Sequence, residues 1–298
     1  RENDGQFKNI THENSVGEST LLRNYSQKPL KQTGNNFISN KSVVGLQKSY
    51  EKLQLKATKR PGLLRLISIS NVDLNDLSTY TIASKIAPRL NSLGRIADPS
   101  KGVEMLLVRN PAAAEKLALE LDLNNIERQK IEKTMITDVE NILSLHPEFM
   151  GHKAIVLDSD KWHPGIIAIL STRVSKHYNR PAVMIAIDKD MAKGSLRSIP
   201  EFPLLDLLKE SSDLLLNFGG HDFAAGMTLK EENITEFKRR FIESADRHLN
   251  DQDVIPKLYI DAEIHFQDLT FDFMESIKLL EPFGNENPPP VLYTTAKQ

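Results

Sequence analysis

Apolar side chains recur with a helical period along residues 111–146, where Leu117, Leu121, Ile131, Met135, Val139 and Ile142 flank a charged middle, NNIERQKIEK. Recurrence every three to four residues marks an amphipathic helix, and His146-Pro147 ends it. The spacing predicts one long helix, of a length suited to a strut between domains. Upstream, residues 44–56 carry a helical pattern, KRPG at 59–62 a Pro–Gly turn, and GLLRLISIS a short helix. The stretch 78–107 opens on Ser78, an N-cap residue, and meets prolines at 88 and 99. It predicts short helices joined by an exposed, arginine-bearing loop.

The rhythm changes after the long helix. KAIVLD (153–158) reads as a strand, HPGIIAILSTRVSKHY (163–178) as a helix, PAVMIAI (181–187) and AKGSLRSIP (192–200) as strands. PLLDLLKESSDLLLNF (203–218) reads as a helix followed by a Gly-Gly-His turn, AAGMTL as a short buried strand and ITEFKRRFIESADRHL (234–249) as a helix. Strands alternating with helices of this length predict an α/β fold. Beyond it, PKLYIDAEIHFQDLT (256–270) alternates as a half-buried strand does, a short helix spans about 271–280, and EPFGNENPPPVLY leads into another strand. A further, mostly β unit is expected there. Residues 1–45, rich in Asn, Ser, Gln and Lys, show neither period and read as a poorly structured tail or a domain remnant. A start at Arg1 and a stop inside a strand-like run lead to the expectation of a fragment.

Composition narrows the chemistry. At 298 residues, 40% apolar and 26% charged, the chain has material for about two ordinary domains. A formal charge of −2 does not advertise nucleic-acid binding, but a whole-chain average hides local patches. The absence of cysteine excludes disulfides, thiolate metal sites and thiol catalysis, and fits a reducing compartment, with the cytoplasm expected. No apolar run approaches the roughly 18 residues of a membrane span, and no signal-peptide layout opens the chain, so no membrane partner is expected.

Four short segments carry phosphate-binding chemistry. In DSDKWHPGIIAI, Pro164 is expected at the first helical position with Gly165 beside it, so that free N–H groups near His163 face an anion; alternatively, His163 caps the helix and Trp162 packs. In AKGSLRSIP, strand alternation places Ser195 and Arg197 on one face, where a hydroxyl and a guanidinium grip a phosphate or merely decorate a polar edge strand. APRLNSLGRIAD sets Arg89 and Arg95 around a Gly94 expected to turn the chain, with Arg89 also readable as a tether to a carbonyl. In NFGGHDFAAG, Gly219 and Gly220 leave room for close backbone approach, and His221 stands beside them. Arg173, Lys176, Arg180 and Lys193 could join Arg197 in a local basic patch. No acidic run has metal-ligand spacing, and no serine sits in a G-x-S-x-G elbow.

Taken in order, KRPGLLRLI, APRLNSLGRIAD, WHPGIIAILSTRV with RPAVMIA, KGSLRSIP, NFGGHDFAAGMTL and LEPFGNENPPPV resemble the RecJ-type single-strand-specific exonucleases of the DHH phosphoesterase superfamily, from about residue 46 to 291. The resemblance implies an α/β architecture in which 46–150 is the end of a DHH lobe and a helical connector. It makes 151–250 a DHH-associated domain with a mixed sheet, and 254–298 the start of a truncated OB-fold. It implies that Ser195 and Arg197 hold the DNA 5′ end, that Arg89 and Arg95 lie on an arginine loop facing the cleft, and that Gly219, Gly220 and a catalytic His221 face the scissile region. The Asp and His ligands for Mn2+ or Mg2+ belong to the DHH motifs, which this sequence lacks, so no metal ligand is assigned in this chain. The implied function is part of a 5′-to-3′ exonuclease of recombination and repair, inactive by itself, acting as a monomer on single-stranded DNA with a repair helicase or single-strand-binding protein as companion. The alternatives are a non-catalytic single-strand-binding module and a small phosphodiesterase, the latter disfavoured by LEPFGNENPPPV.

Overall fold

The computed structural model describes residues 55–284 and 287–295. The tail expected over 1–45 and most of the helix expected over 44–56 lie outside them.

The helical part begins with α1 (Pro61–Ile69), whose proline occupies the first turn, where a missing N–H breaks no helical bond. Ser78 is an N-cap, as expected. Its side chain accepts from the Thr81 N–H at 3.1 Å, while Thr81 Oγ1 accepts from the Ser78 N–H at 2.8 Å. One α turn (Thr79–Thr81) and a π-helical turn (Ile82–Ile86) then lead into α2 (Ala87–Ile96).

Pro88 does not break this run. The π turn shifts the hydrogen-bond ladder so that the proline falls in the first turn of α2. The expected arginine loop is therefore corrected to a helix: Asn91, Gly94 and Arg95 are all helical, and Gly94 turns nothing. Pro99 does separate α2 from α3 (Ser100–Leu107).

Helix α4 (Pro111–Leu145) runs for 35 residues. Asn110 caps it by accepting from the N–H groups of Ala112 and Ala113 at 2.9 and 3.0 Å, and it ends at His146 as the sequence indicates. One buried stripe runs its whole length at intervals of three or four: Leu117, Leu121, Asn125, Arg128, Glu132, Met135, Val139, Leu143. The first two pack with Leu66, Leu93 and Met105 of α1 to α3. The last three belong to a second core. The polar middle, Asn125–Arg128–Glu132, is the waist between them.

The α/β part holds a five-stranded sheet of order β1-β2-β3-β5-β4, built from β1 (Ile155–Ser159), β2 (Ala182–Asp188), β3 (Met191–Arg197), β4 (Leu215–His221) and β5 (Ala224–Lys230). The β1–β2 pair is parallel and the others antiparallel, so the sheet is mixed. The parallel pair needs a crossover, supplied by α5 (Ile167–Tyr178). This helix lies over β2 and β3, and with the second half of α4 it buries Ile155, Leu157, Ala182 and Met184. Helices α6 (Leu204–Glu210) and α7 (Ile234–His248) cover the opposite face against Val156, Val183, Ile185, Leu196 and Met227.

Three expectations are corrected here. The helix expected over 203–218 stops at Glu210. A 3-10 turn (Ser212–Leu214) and strand β4 replace its second half, so the Gly-Gly-His segment is the end of a strand rather than a turn between helices. Pro164 is not the first helical residue, because α5 begins at Ile167. The strand expected over 256–270 contracts to β6 (Ala262–Glu263), which pairs in parallel with β7 (Leu292–Tyr293); α8 (Phe271–Lys278) lies between them as expected.

The phase of α4 is open to test. Leu121→Ala, at a fully buried position, is expected to cost about 2–5 kcal/mol in urea unfolding. Leu123→Ala, 65% exposed, should stay within about 0.5 kcal/mol of the parent.

Candidate nucleic-acid interface

Strand alternation and register together define one surface. Ser195 and Arg197 lie on the β3 face turned toward α5, in register with Gly226 and Ala224 of β5, which are in register with Gly219 and His221 of β4. The α5 side of the sheet therefore carries two cross-strand rows, Arg197–Ala224–His221 and Ser195–Gly226–Gly219. Helix α5 covers only the β3 end of these rows. Gly226, Gly219 and His221 are exposed, so small residues floor an open shelf beside the two β3 side chains.

The two glycines of β4 do different jobs. A side chain on Gly219 would meet nothing within 4 Å, which leaves the shelf accessible. Gly220 has φ +150°, and a Cβ there would lie 2.3 Å from the Ala224 carbonyl oxygen, so glycine is needed to close the hairpin itself. In that hairpin His221 Nδ1 accepts the Phe223 N–H at 3.3 Å. With Nδ1 an acceptor, the neutral ring carries its proton on Nε2, a donor suited to a phosphate oxygen.

At the β3 end the side chains are held by α5. Arg197 Nε donates to Thr172 Oγ1 at 2.9 Å and Nη1 donates to the Leu196 carbonyl at 2.9 Å. Ser195 is buried, its Oγ 3.4 Å from that of Ser171. Burial pulls the Arg197 pKa below its ordinary value, and the like charge of Arg95 pushes the same way. Arg95, in the last turn of α2, is shifted down by burial and by Arg128, with Glu132 opposing both. The fold thus brings Arg95 of the helical part and Arg197 of the sheet into one positive field.

The joint between them is tight. Arg95 Nη1 donates to the Gly165 carbonyl at 3.2 Å, and a Cβ on Gly165 would sit 2.0 Å from the Arg95 carbonyl oxygen. Glycine at 165 lets the turn before α5 press onto the end of α2. His163 caps this turn, its Nδ1 accepting the Gly165 N–H at 3.1 Å, and Trp162 is buried with Nε1 donating to Asp138 at 2.7 Å. Both residues are placed as the capping and packing alternative has them.

Two expected members lie elsewhere. Arg89 is committed to tethering: Nε donates to Asp122 at 2.8 Å, Nη1 to the Lys85 carbonyl at 2.5 Å, and Nη2 reaches the Ile69 carbonyl at 3.5 Å. Its donors join α1, α2 and α4, the tether reading of the sequence, and leave no fork for a phosphate. Arg180 is at the other end of α5 with Nη1 against Met150 Sδ, while Arg173 turns toward α4. The basic patch is therefore split.

Arg128 and Glu132 are the residues the sequence reading missed. They lie inside a charged run that looks solvated, yet they fall on the same three-to-four spacing as Leu117, Leu121, Met135 and Val139. Extending that spacing through the run would have found them. Among the described residues no group of three or more His, Cys, Asp or Glu could hold a metal ion, and no helix is long and apolar enough to cross a membrane.

Comparison with known proteins bears on the domains and the fold. Residues 151–246 match the DHHA1 domain and residues 260–298 the RecJ OB domain, so the chain carries a DHHA1 domain with RecJ OB sequence following it. Its similarity is to RecJ. It is 38% identical over 239 residues to the single-stranded-DNA-specific exonuclease RecJ of Bacillus subtilis, covering 80% of this chain and 30% of that protein. With RecJ of Thermus thermophilus it shares 32% over 244 residues, 79% of this chain and 35% of that protein. The crystal structure of RecJ from Thermus thermophilus in complex with Mn2+ superposes with a TM-score of 0.72 at 28% identity, over 82% of this chain and 35% of that one. The resemblance read from the motifs and the mixed α/β class are thereby borne out. The chain spans about a third of the length of these relatives.

The two glycines give a direct test. Gly220→Ala is expected to destabilise the fold by about 1–3 kcal/mol, from strained φ and backbone overlap, whereas Gly219→Ala should leave unfolding within about 0.5 kcal/mol of the parent. Paired urea melts distinguish them.

Proposed function

We propose that this chain is the strand-gripping part of a single-strand-specific 5′-to-3′ exonuclease acting in DNA recombination and repair. The observation that carries the reading is the convergence of Arg95, Arg197 and Ser195 beside the open Gly219–Gly226 shelf. A terminal phosphate needs a small number of charge-assisted donors in a partly desolvated place, and a strand leading away from it needs a wall without side chains. The β3 end supplies the donors: Arg197 Nη2 has no partner among the described residues, while Thr172 and the Leu196 carbonyl fix the plane of the guanidinium. The β4–β5 end supplies the wall, with His221 Nε2 at its rim.

In this reading phosphodiester hydrolysis uses Mn2+ or Mg2+, the ions bound in the solved RecJ structures. The described residues do not fit such a centre. Their part is to bind, to orient the strand and to present His221 to a phosphate oxygen. The same reading makes the protein a cytoplasmic monomer that works with a helicase or a single-strand-binding protein.

Fluorescence anisotropy with 5′-phosphorylated and 5′-hydroxyl oligonucleotides tests the grip. The chain is expected to prefer the phosphorylated end, and Arg197→Ala to remove that preference at a cost of about 1.5–3 kcal/mol for one charge-assisted contact. A parent chain that binds no single strand, or binds both ends equally, contradicts the reading.

A further inference from the structure

A cleft of about 760 Å³ opens where the waist of α4 meets α2 and α5, with Arg95, Arg128, Lys133 and Arg173 among its lining residues. At its floor lies a carboxylate shared by two helices. Glu132, with 5% of its side chain exposed, pairs with Arg128 one turn earlier, and its Oε1 lies 2.6 Å from Arg173 Nε of α5 without a hydrogen-bond alignment. Arg128 gives its Nη2 to Asn125 Oδ1 at 3.1 Å, and its Nε has no partner among the described residues. Arg173 is 61% exposed, and beyond its Nε contact the terminal nitrogens of its fork have no partner among the described residues.

The charge count is uneven. Four cationic side chains, Arg95, Arg128, Lys133 and Arg173, line the cleft against two carboxylates, the buried Glu132 and the exposed Glu140, which leaves positive charge in excess. Partly desolvated positive charge of this kind is costly unless an anion answers it. The place is also next to the end-binding site. Thr172, which fixes Arg197, and Arg173, which lines the cleft, are consecutive residues of α5. Arg95, which lines the cleft, also acts by its charge on Arg197, so the two places share one electrostatic field.

We infer that the α4 waist is a second phosphate subsite, in which Arg173 and Arg128, ordered by the Glu132 carboxylate, take an internal phosphodiester of a bound single strand. The subsite rests on the strand-gripping function proposed above and deepens it. Its contact is indifferent to the chemistry of the 5′ end, which separates it from Arg197. Glu132 is a positioning residue here: it touches the two arginines, not the strand.

The test is binding of the full chain to 5′-phosphorylated and 5′-hydroxyl oligonucleotides across a salt series. Arg173→Ala is expected to weaken both by a similar factor, about fivefold to tenfold, leaving their ratio unchanged. It should also shrink the slope of log affinity against log salt by about 0.7, one phosphate on a single strand. Arg173→Lys, which keeps the charge, is expected to restore the slope, and it guards against misreading a folding defect in the alanine variant. Unchanged affinity and slope in Arg173→Ala would overturn the subsite while leaving the proposed function standing. A change in the phosphate-to-hydroxyl ratio, or a lysine variant that fails to restore the slope, would also overturn it. A parent chain that binds no strand would overturn both.

Discussion

Helix α4 has to serve two hydrophobic cores with one continuous stripe, and at its centre that stripe turns polar. Leu117 and Leu121 close the core of the helical part, Met135, Val139 and Leu143 the core under α5, and Asn125, Arg128 and Glu132 occupy the positions between. An all-apolar stripe would have let α2 and α5 pack against each other across the waist. Buried charges there demand partners instead, drawing Arg173 from α5 and bringing Arg95 from α2 into the same field. The cleft follows from that demand.

The sheet adds a second consequence of incomplete cover. Helix α5 must connect the parallel strands β1 and β2, so it lies over that side of the sheet and leaves β5 and β4 bare on the same face. A bare apolar strand at a sheet edge invites aggregation. Here the edge strand carries Asn217, Gly219 and His221 outward instead, and its pairing is broken by a bulge at the exposed Leu216, so the edge is irregular and only partly apolar. The same features leave the shelf open on the strand-gripping reading proposed above, with Arg197 and Ser195 where it meets the covered half.

Most of the fold was legible because its periods are clean. The stripe of α4, the Ser78 cap, the stop at His146 and the β–α–β rhythm from 153 to 187 each follow from one local rule. The failures have local causes too. Leu214, Leu215 and Leu216 continue the leucine spacing of α6 and so read as helix, but the glycines beyond them cannot hold one and the chain turns into β4. Pro88 read as a break because a π turn, which re-registers the ladder around it, leaves no mark in composition. The candidate residues on β3 were found by alternation alone. Arg89 was readable from sequence either as a tether or as a phosphate contact, and only the placement of Asp122 and the Ile69 and Lys85 carbonyls shows the tether. Glu132 was hidden by its neighbours: a charged run is usually a solvated face, and here one side of it is buried.

Hydrogen exchange of the backbone amides, with and without a 5′-phosphorylated single strand, tests the placement of the strand at the joint of the two parts. Slowed exchange is expected at the outer amides of Gly219 to His221 and in the 163–166 turn. No change is expected along α7, whose outer arginines, Arg239 and Arg240, are already paired with Glu236, Glu243 and Asp213. Protection confined to α7, with β4 and the turn unaffected, would contradict it.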